Sequence, residues 1–347
     1  MTAIYSTPHV STRILVGGPA SDIRRLQAEI EKSQTEAATN RMANPALELG
    51  QQNGLRLRLE GEVQVLESRV QAYDLATVRL SVTQSALTAI KQQGEQFSQS
   101  LITAVGGVTD GNFIAATAEA TLQGFRSAMN TSAGGDHLFA GIDSGSAPIG
   151  DLSAIRSDIV ATFTARFGFP PGDPASQNLA PDLVVDFLQN DLQPRLTGTA
   201  WTSLVSGASD EAVKLRTGTG DTVDISISAN ESAMRGVMAA ALMTAELAPY
   251  LNADSVAALA RTSTDILAQG LADTNVLQTR IGLTTGQIDN ATAADNARRA
   301  GLETVSEDMV RVDPFEAASR FNAQVTQLET AYALTGRLQG LSLLRFL

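Results

Sequence analysis

A chain of 347 residues with 43% hydrophobic side chains can bury a substantial core and has room for two or three domains, which excludes a disordered tail. Its formal charge of −12 argues against a nucleic-acid partner, since phosphate binding rests on Lys and Arg. Cysteine is absent and the two histidines, His9 and His137, lie far apart, so disulfides, thiolate metal sites, Ser/His/Asp triads and His-rich zinc sites are excluded or disfavoured.

The charge is unevenly placed. Residues 1 to 107 carry 10 basic and 10 acidic side chains, residues 108 to 250 carry 7 and 16, and residues 251 to 347 carry 8 and 11. The middle therefore reads as a solvated acidic face, while the near-neutral ends can stack on copies of themselves with little repulsion. Proline follows the same division. None occurs from residue 46 to 147 or from 250 to 313, and seven of the eleven fall between 148 and 249. Because proline breaks helix interiors, the outline is helical, irregular, helical. The first thirty residues lack the basic start, apolar run and cleavage site of a secretory signal, and no apolar stretch approaches the ~18 residues of a membrane span.

The first segment has a cap at Ser21-Asp22 and an apolar line of Ile23, Leu26, Ile30 and Ala37. A strict 4-3 spacing follows through Leu59, Val63, Leu66, Val70, Tyr73, Thr77, Leu80, Gln84 and Leu87, the heptad seam of a long helix. The stripe continues through Ile90, Phe97, Leu101 and Val105 and ends at Gly106-Gly107. At ~1.5 Å per residue, a helix over about 51 to 105 is roughly 80 Å long. A shorter helix is predicted after Asp110-Gly111-Asn112 to about Asn130, with Leu122, Phe125 and Met129 on one face.

The middle mixes elements. Helices are predicted at about 151 to 166 and 182 to 193, then a hairpin in which Val213 and Leu215, and later Val223, Ile225 and Ile227, alternate with polar residues around a Gly218-Thr219-Gly220-Asp221 turn. Asn230 is read as the cap of a helix carrying Met234, Val237, Met238 and Leu242. The glycines of the turn do not make a phosphate loop, because no strand-loop-helix unit with a following lysine surrounds them. Sequons at Asn130, Asn230 and Asn290 are uninformative, and the acidic residues form no ordered calcium loop.

The second proline-free stretch opens at Asn252 to Asp254 and repeats the 4-3 rhythm through Leu277, Ile281, Thr284, Ile288, Ala291, Asp295, Arg298, Leu302, Val305, Met309 and Val312. Its centre is polar: Asp295 and Arg298 mark a wet stretch, a contact between subunits or a break. Asp313-Pro314-Phe315-Glu316 then combines an N-cap aspartate, a proline at the first helical position and a glutamate three residues past the cap, which restarts a helix. Phe321, Val325, Leu328, Tyr332 and Thr335 carry its seam, and Leu338, Leu341, Leu343, Leu344, Phe346 and Leu347 widen the apolar face. Burying a Leu or Phe is worth ~1.5 to 3 kcal/mol, so this tail is expected to be covered by neighbouring copies.

The expected fold is mainly α with a small α+β insert, a long antiparallel bundle formed by the two terminal arms around a variable middle domain. Five segments are expected: 1–45, helical on assembly; 46–141, the N-terminal arm; 142–250, the α+β middle; 251–312, the C-terminal arm; and 313–347, an assembly helix. The bundle core is assigned to Leu59, Val63, Leu66, Val70, Tyr73, Leu80, Leu87, Leu277, Ile281, Ile288, Leu302 and Val305. The assembly interface is assigned to Phe321, Val325, Leu328, Tyr332, Leu338, Leu341, Leu343, Leu344, Phe346 and Leu347, with Asp313, Pro314 and Glu316 as the helix restart. No catalytic, cofactor-binding or metal-ligating residue is nominated.

The chain resembles the flagellin-like axial proteins of bacterial flagella. Helical ends around a partly β middle are similar to that family's plan. Gly135-Asp136-His137-Leu138-Phe139-Ala140-Gly141 resembles the glycine-rich, aromatic segment that leaves the N-terminal arm. The run from Ser306-Glu307-Asp308 through Asp313 and Glu316-Ala317 to Leu341-Ser342-Leu343-Leu344-Arg345-Phe346-Leu347 resembles the family's C-terminal pattern. The likeness covers about 1 to 141 and 250 to 347. At Thr39-Asn40-Arg41-Met42-Ala43-Asn44-Pro45-Ala46-Leu47 the chain lacks the pair of aspartates usual in the family.

The resemblance implies a non-enzymatic, extracellular subunit that leaves the cell unfolded through the flagellar export channel, held beforehand by an export chaperone. Within the family the likeness is greatest to subunits that form a ring between hook and filament, with flagellin and the first hook-associated protein as partners and no cofactor, nucleic acid or membrane insertion. The filament subunit itself is the alternative within the family. A soluble coiled-coil adaptor is the alternative from another class.

Overall fold

The computed structural model describes residues 12–106, 110–218 and 220–343, with the side chains of 12–20 and 338–343 left aside. The chain divides into two compact units, one of residues 1–67 and 296–347 and one of residues 68–295. The long helices α3 (Asn53–Val105) and α10 (Ala253–Val310) each contribute residues to both.

In the first unit, α1 (Thr12–Thr39) packs along α11 (Pro314–Leu343). The helix starts nine residues ahead of the expected cap, passing through Ser21-Asp22 without a break. It stops at Asn40, the one described non-glycine residue at positive φ (57°), a conformation asparagine tolerates better than most. The chain then crosses to the α10–α11 junction. Arg41 bridges Arg311, the Met42 N–H donates to Val310 O at 2.8 Å and the Val312 N–H donates to Asn40 O at 3.0 Å. A single-turn helix, α2 (Pro45–Glu48), follows.

The second unit holds the main core. Tyr73, Leu80, Leu87, Ile90, Phe97 and Leu101 of α3 and Leu277, Ile281 and Ile288 of α10 are all buried in one cluster. The two helices run antiparallel there, as Arg69 meets Asp295, Gln278 donates to Thr88 and Lys91 donates to Asn275. Helix α4 (Gly111–Met129) adds Ile114, Ala118, Leu122 and Phe125, all fully buried, with Asp110 accepting from the Asn112 N–H at its start. After α4 come a two-residue hairpin, β1 (Ser132–Ala133) with β2 (Asp136–His137), and α5 (Ser153–Phe167).

The expected helix at 182 to 193 is broken into α6 (Pro181–Asp186), a π-helical turn over Phe187–Leu192 and α7 (Gln193–Thr197), because Pro194 cannot supply an N–H to a regular α ladder. Helix α8 (Thr199–Leu204), not expected from the sequence, places the lone tryptophan, Trp201, in the core. The predicted hairpin is β3 (Lys214–Arg216) against β4 (Thr222–Asp224), with Leu215 opposite Val223.

Helix α9 (Ser232–Leu247) is buried almost all round, Val237 to Thr244 being 0 to 1% exposed. Where it meets α10, Gly236 and Gly270 touch backbone to backbone: a Cβ on Gly270 would lie 2.9 Å from Val237 N. Asn230 does not cap this helix. Its Oδ1 accepts from Trp201 Nε1 at 3.0 Å and its Nδ2 donates to Ala208 O and Asp210, so the buried amide fixes the loop before α9 and Glu231 takes the cap position.

Candidate assembly surfaces

The face of α11 was expected to await neighbouring copies. Within the chain, α1 already packs along it. Ala317 is fully buried, and Phe321, Val325 and Leu328 are half-buried, as are Ile23, Leu26 and Ile30 on α1. The pair also carries polar ties. Gln27 Nε2 donates to Tyr332 Oη at 3.1 Å, Ser33 Oγ donates to Gln324 Oε1 at 2.6 Å, and Arg320 Nη2 donates to Glu36 Oε2 at 3.3 Å. Tyr332 keeps half of its surface open, and Leu334 is 55% exposed. The side chains of Leu338, Leu341, Leu343, Leu344, Phe346 and Leu347 lie outside the described residues.

Asp313 caps α11 as its sequence suggests: its Oδ1 accepts from the Phe315 N–H at 2.8 Å and the Glu316 N–H at 3.4 Å. Pro314 opens the helix, and Phe315 points away at 86% exposure. Leu47, also in the first unit, is 81% exposed.

Along the seams, Leu66, Tyr73, Leu80, Leu87, Leu277, Ile281 and Ile288 are buried, whereas Leu59, Val63, Val70 and Leu302 are half-buried. Val305 is a correction: it is 51% exposed, while Ser306 and Val310, each one residue past a seam position, are half-buried and buried in turn, and Met309 stays half-buried on the seam. A straight helix of 3.6 residues per turn drifts about 20° per heptad from a 3.5-residue pattern, and beyond Leu302 the drift moves the covered stripe by a residue.

Asp295 and Arg298 part company. Arg298 pairs with Glu62 at the surface of the first unit. Asp295, only 6% exposed, belongs to the core of the second. Arg69 Nη2 donates to its Oδ1 at 3.2 Å, while Arg69 Nε sits 3.2 Å from Oδ2, close enough for attraction but out of line for a hydrogen bond. Tyr73 Oη donates to Oδ2 at 3.3 Å and accepts from the Gly218 N–H at 2.9 Å, so the hairpin turn rests on this cluster. Burial, and then the Asp295 charge, push the Tyr73 phenol above its ordinary pKa, which keeps it a donor. Glycine at 218 lets the turn approach this closely, because a Cβ there would fall 2.8 Å from Asp295 Oδ1 and push the carboxylate aside.

The glycine-rich segment after α4 is an anchor. Leu138, Phe139 and Ala140 are fully buried, the Phe139 and Ala140 carbonyls accept from Ala229 and Ser209, and Gly141, at φ 65°, leaves no room for a Cβ beside Ser209 O and Glu211 O. A second charged knot ties α5 to α4 and α9, with Arg156 donating to Glu119 at 2.6 Å and to Glu246. Burial opposes the Glu119 carboxylate, but the Arg156 and Gln123 hydrogen bonds outweigh it and hold its pKa below the ordinary value.

A groove of about 370 Å³ beside the α9–α10 crossing is lined by Gln193, Thr197, Arg235, Gln269 and Asp273 among others. Its charged groups are engaged: Arg235 donates to Asn230 O and Thr197 O, and Asp273 accepts from Ser232 and Gln269. Among the described residues no cluster of three His, Asp or Glu side chains is placed to hold a metal, and no helix is long and apolar enough to cross a membrane. Apolar side chains do remain open on the second unit's long helices: Leu75, Val78, Val276 and Leu283 are 58 to 73% exposed.

In each unit a helix from the N-terminal part of the chain lies antiparallel to one from the C-terminal part, α1 with α11 and α3 with α10, which defines a mainly helical protein built from paired terminal arms. Residues 10–144 match the bacterial flagellin N-terminal helical region, and residues 264–347 match the bacterial flagellin C-terminal helical region. No curated protein sequence matches the chain. Among solved structures, the fold is similar to a protein assigned as a flagellar hook-associated protein of Vibrio parahaemolyticus, with a TM-score of 0.52 and 12% identity over 75% of this chain and 97% of that one. The chain belongs to the flagellin-like axial family, whose members are structural proteins of the bacterial flagellum.

Proposed function

We propose that this flagellar subunit joins hook to filament, seated in a ring between the first hook-associated protein and flagellin. The likeness in fold to the structure assigned as hook-associated, which spans 97% of that chain, is in keeping with this role. On this reading the exposed faces of the bundle serve neighbours in the ring. The chain reaches its place through the flagellar export channel, held beforehand by an export chaperone. Deleting the gene tests the role: hooks without filaments and flagellin shed into the medium are the expected result, and filaments of normal number and length overturn it.

The second reading is the filament subunit, favoured by two regions that match models of flagellin itself. Deletion then removes the bulk protein of sheared filaments, with no free flagellin left in the medium.

A further inference from the structure

The α1–α11 pair buries polar groups where an apolar seam would hold two helices together as well. Glu36 is 1% exposed and Ser33 3%. The Glu36 carboxylate receives Arg320 at 3.3 Å, lies 3.7 Å from Lys32 Nζ and accepts the Ala43 N–H at 3.5 Å, while Ser33 bonds Gln324. A buried ion pair is weak evidence of stability, since an apolar pair of similar volume often serves equally well; its best-attested use is to fix register.

The apolar pattern of α11 does not fix register by itself. Ala317, Gln324 and Ala331 share one heptad position, and Phe321, Leu328 and Thr335 share another, so sliding α11 by one heptad presents equivalent positions to α1. The polar groups break that equivalence. A slide in one direction sets Gln327 opposite Glu36 and Ala331 opposite Ser33, leaving the carboxylate without its α11 cation. In the other direction it sets Asp313 opposite Glu36, carboxylate against carboxylate. Only the observed alignment supplies Arg320.

We propose that Glu36, with Arg320 and the Ser33–Gln324 pair, determines the register of the terminal helix pair by penalising the two one-heptad slips. Glu36 is a positioning residue in this role, and the assignment holds for a junction or a filament subunit alike.

The absence of cysteine makes the test clean, because introduced thiols are the only ones. A chain carrying Q27C and Y332C reports the observed register, and one carrying Q27C and V325C reports a one-heptad slip. Both leave the polar groups of the lock in place. Intramolecular cross-linking of the dilute, full-length protein by a short bismaleimide is expected to run about tenfold or more faster in the first, as loss of a charge-assisted hydrogen bond implies. With Glu36→Leu and Arg320→Leu added, that ratio falls toward one while helicity by circular dichroism is kept. If the double variant loses helicity, Glu36→Gln carries the test and lowers the ratio several-fold. A ratio near one in the unaltered background, or one that these substitutions leave unchanged, overturns the proposal.

Discussion

At the α3–α10 seam a single carboxylate, Asp295, takes a guanidinium and a phenol, and the phenol in turn holds the backbone of a hairpin. Removing one partner of such a cluster costs more than the cluster contributes, because the remaining groups lose their partners without regaining full contact with water. Arg69 is about a third exposed, which moderates the penalty. Asp295→Ala is therefore expected to destabilise the chain by about 1–3 kcal/mol. Arg298→Ala removes only an open surface pair with Glu62 and is expected to cost ~1 kcal/mol or less. Urea unfolding of both variants checks the contrast, and equal midpoints contradict it. Sequence spacing placed both residues on one polar stretch of the seam but could not tell them apart. What separates them is the tertiary setting of each side chain, which a one-dimensional pattern does not carry.

Helices are where the sequence speaks most clearly. The breaks after Val105 and Val310 follow from Gly106-Gly107 and the Asp313-Pro314 restart, and the predicted helices over 51–105 and from about 252 appear within a few residues. The π-helical turn at Phe187–Leu192, helix α8 and the start of α1 were not legible, since short elements take their form from what they pack against. The α9–α10 crossing escaped for a related reason: Gly236 and Gly270 look like helix weaknesses until each is seen as the other's partner.

That crossing gives a test in which two opposed effects are weighed at the level of the element. Glycine to alanine in a helix interior gains up to ~1 kcal/mol of propensity. At Gly270 the added methyl meets the Val237 backbone, which cannot swing aside, and overpacking of this kind costs about 1–3 kcal/mol. Gly282, on the same helix, has nothing within 4 Å of its would-be Cβ. Gly270→Ala is expected to lower the thermal midpoint and Gly282→Ala to leave it unchanged or raise it. A Gly270→Ala protein at least as stable as the parent shows that the helices move apart without penalty.

At the scale of the whole molecule, the main core and the terminal helix pair draw on different parts of the chain. The main buried cluster runs from Tyr73 to Ile288 and, among the described residues, contains none of α1 or α11. The terminal pair is held by half-buried apolar side chains and a few polar ties, an arrangement that exchanges partners more readily than a close-packed core. Cutting the chain before Leu338 should therefore spare the cooperative unfolding of the second unit while removing the apolar tail that the sequence assigns to contacts between copies. The expected result is a folded, monomeric protein, its main thermal transition moved by no more than a few degrees, that fails to restore motility in a strain lacking the full-length gene. Motility restored to the level of the intact chain would place assembly outside the last ten residues, on the open faces of the long helices.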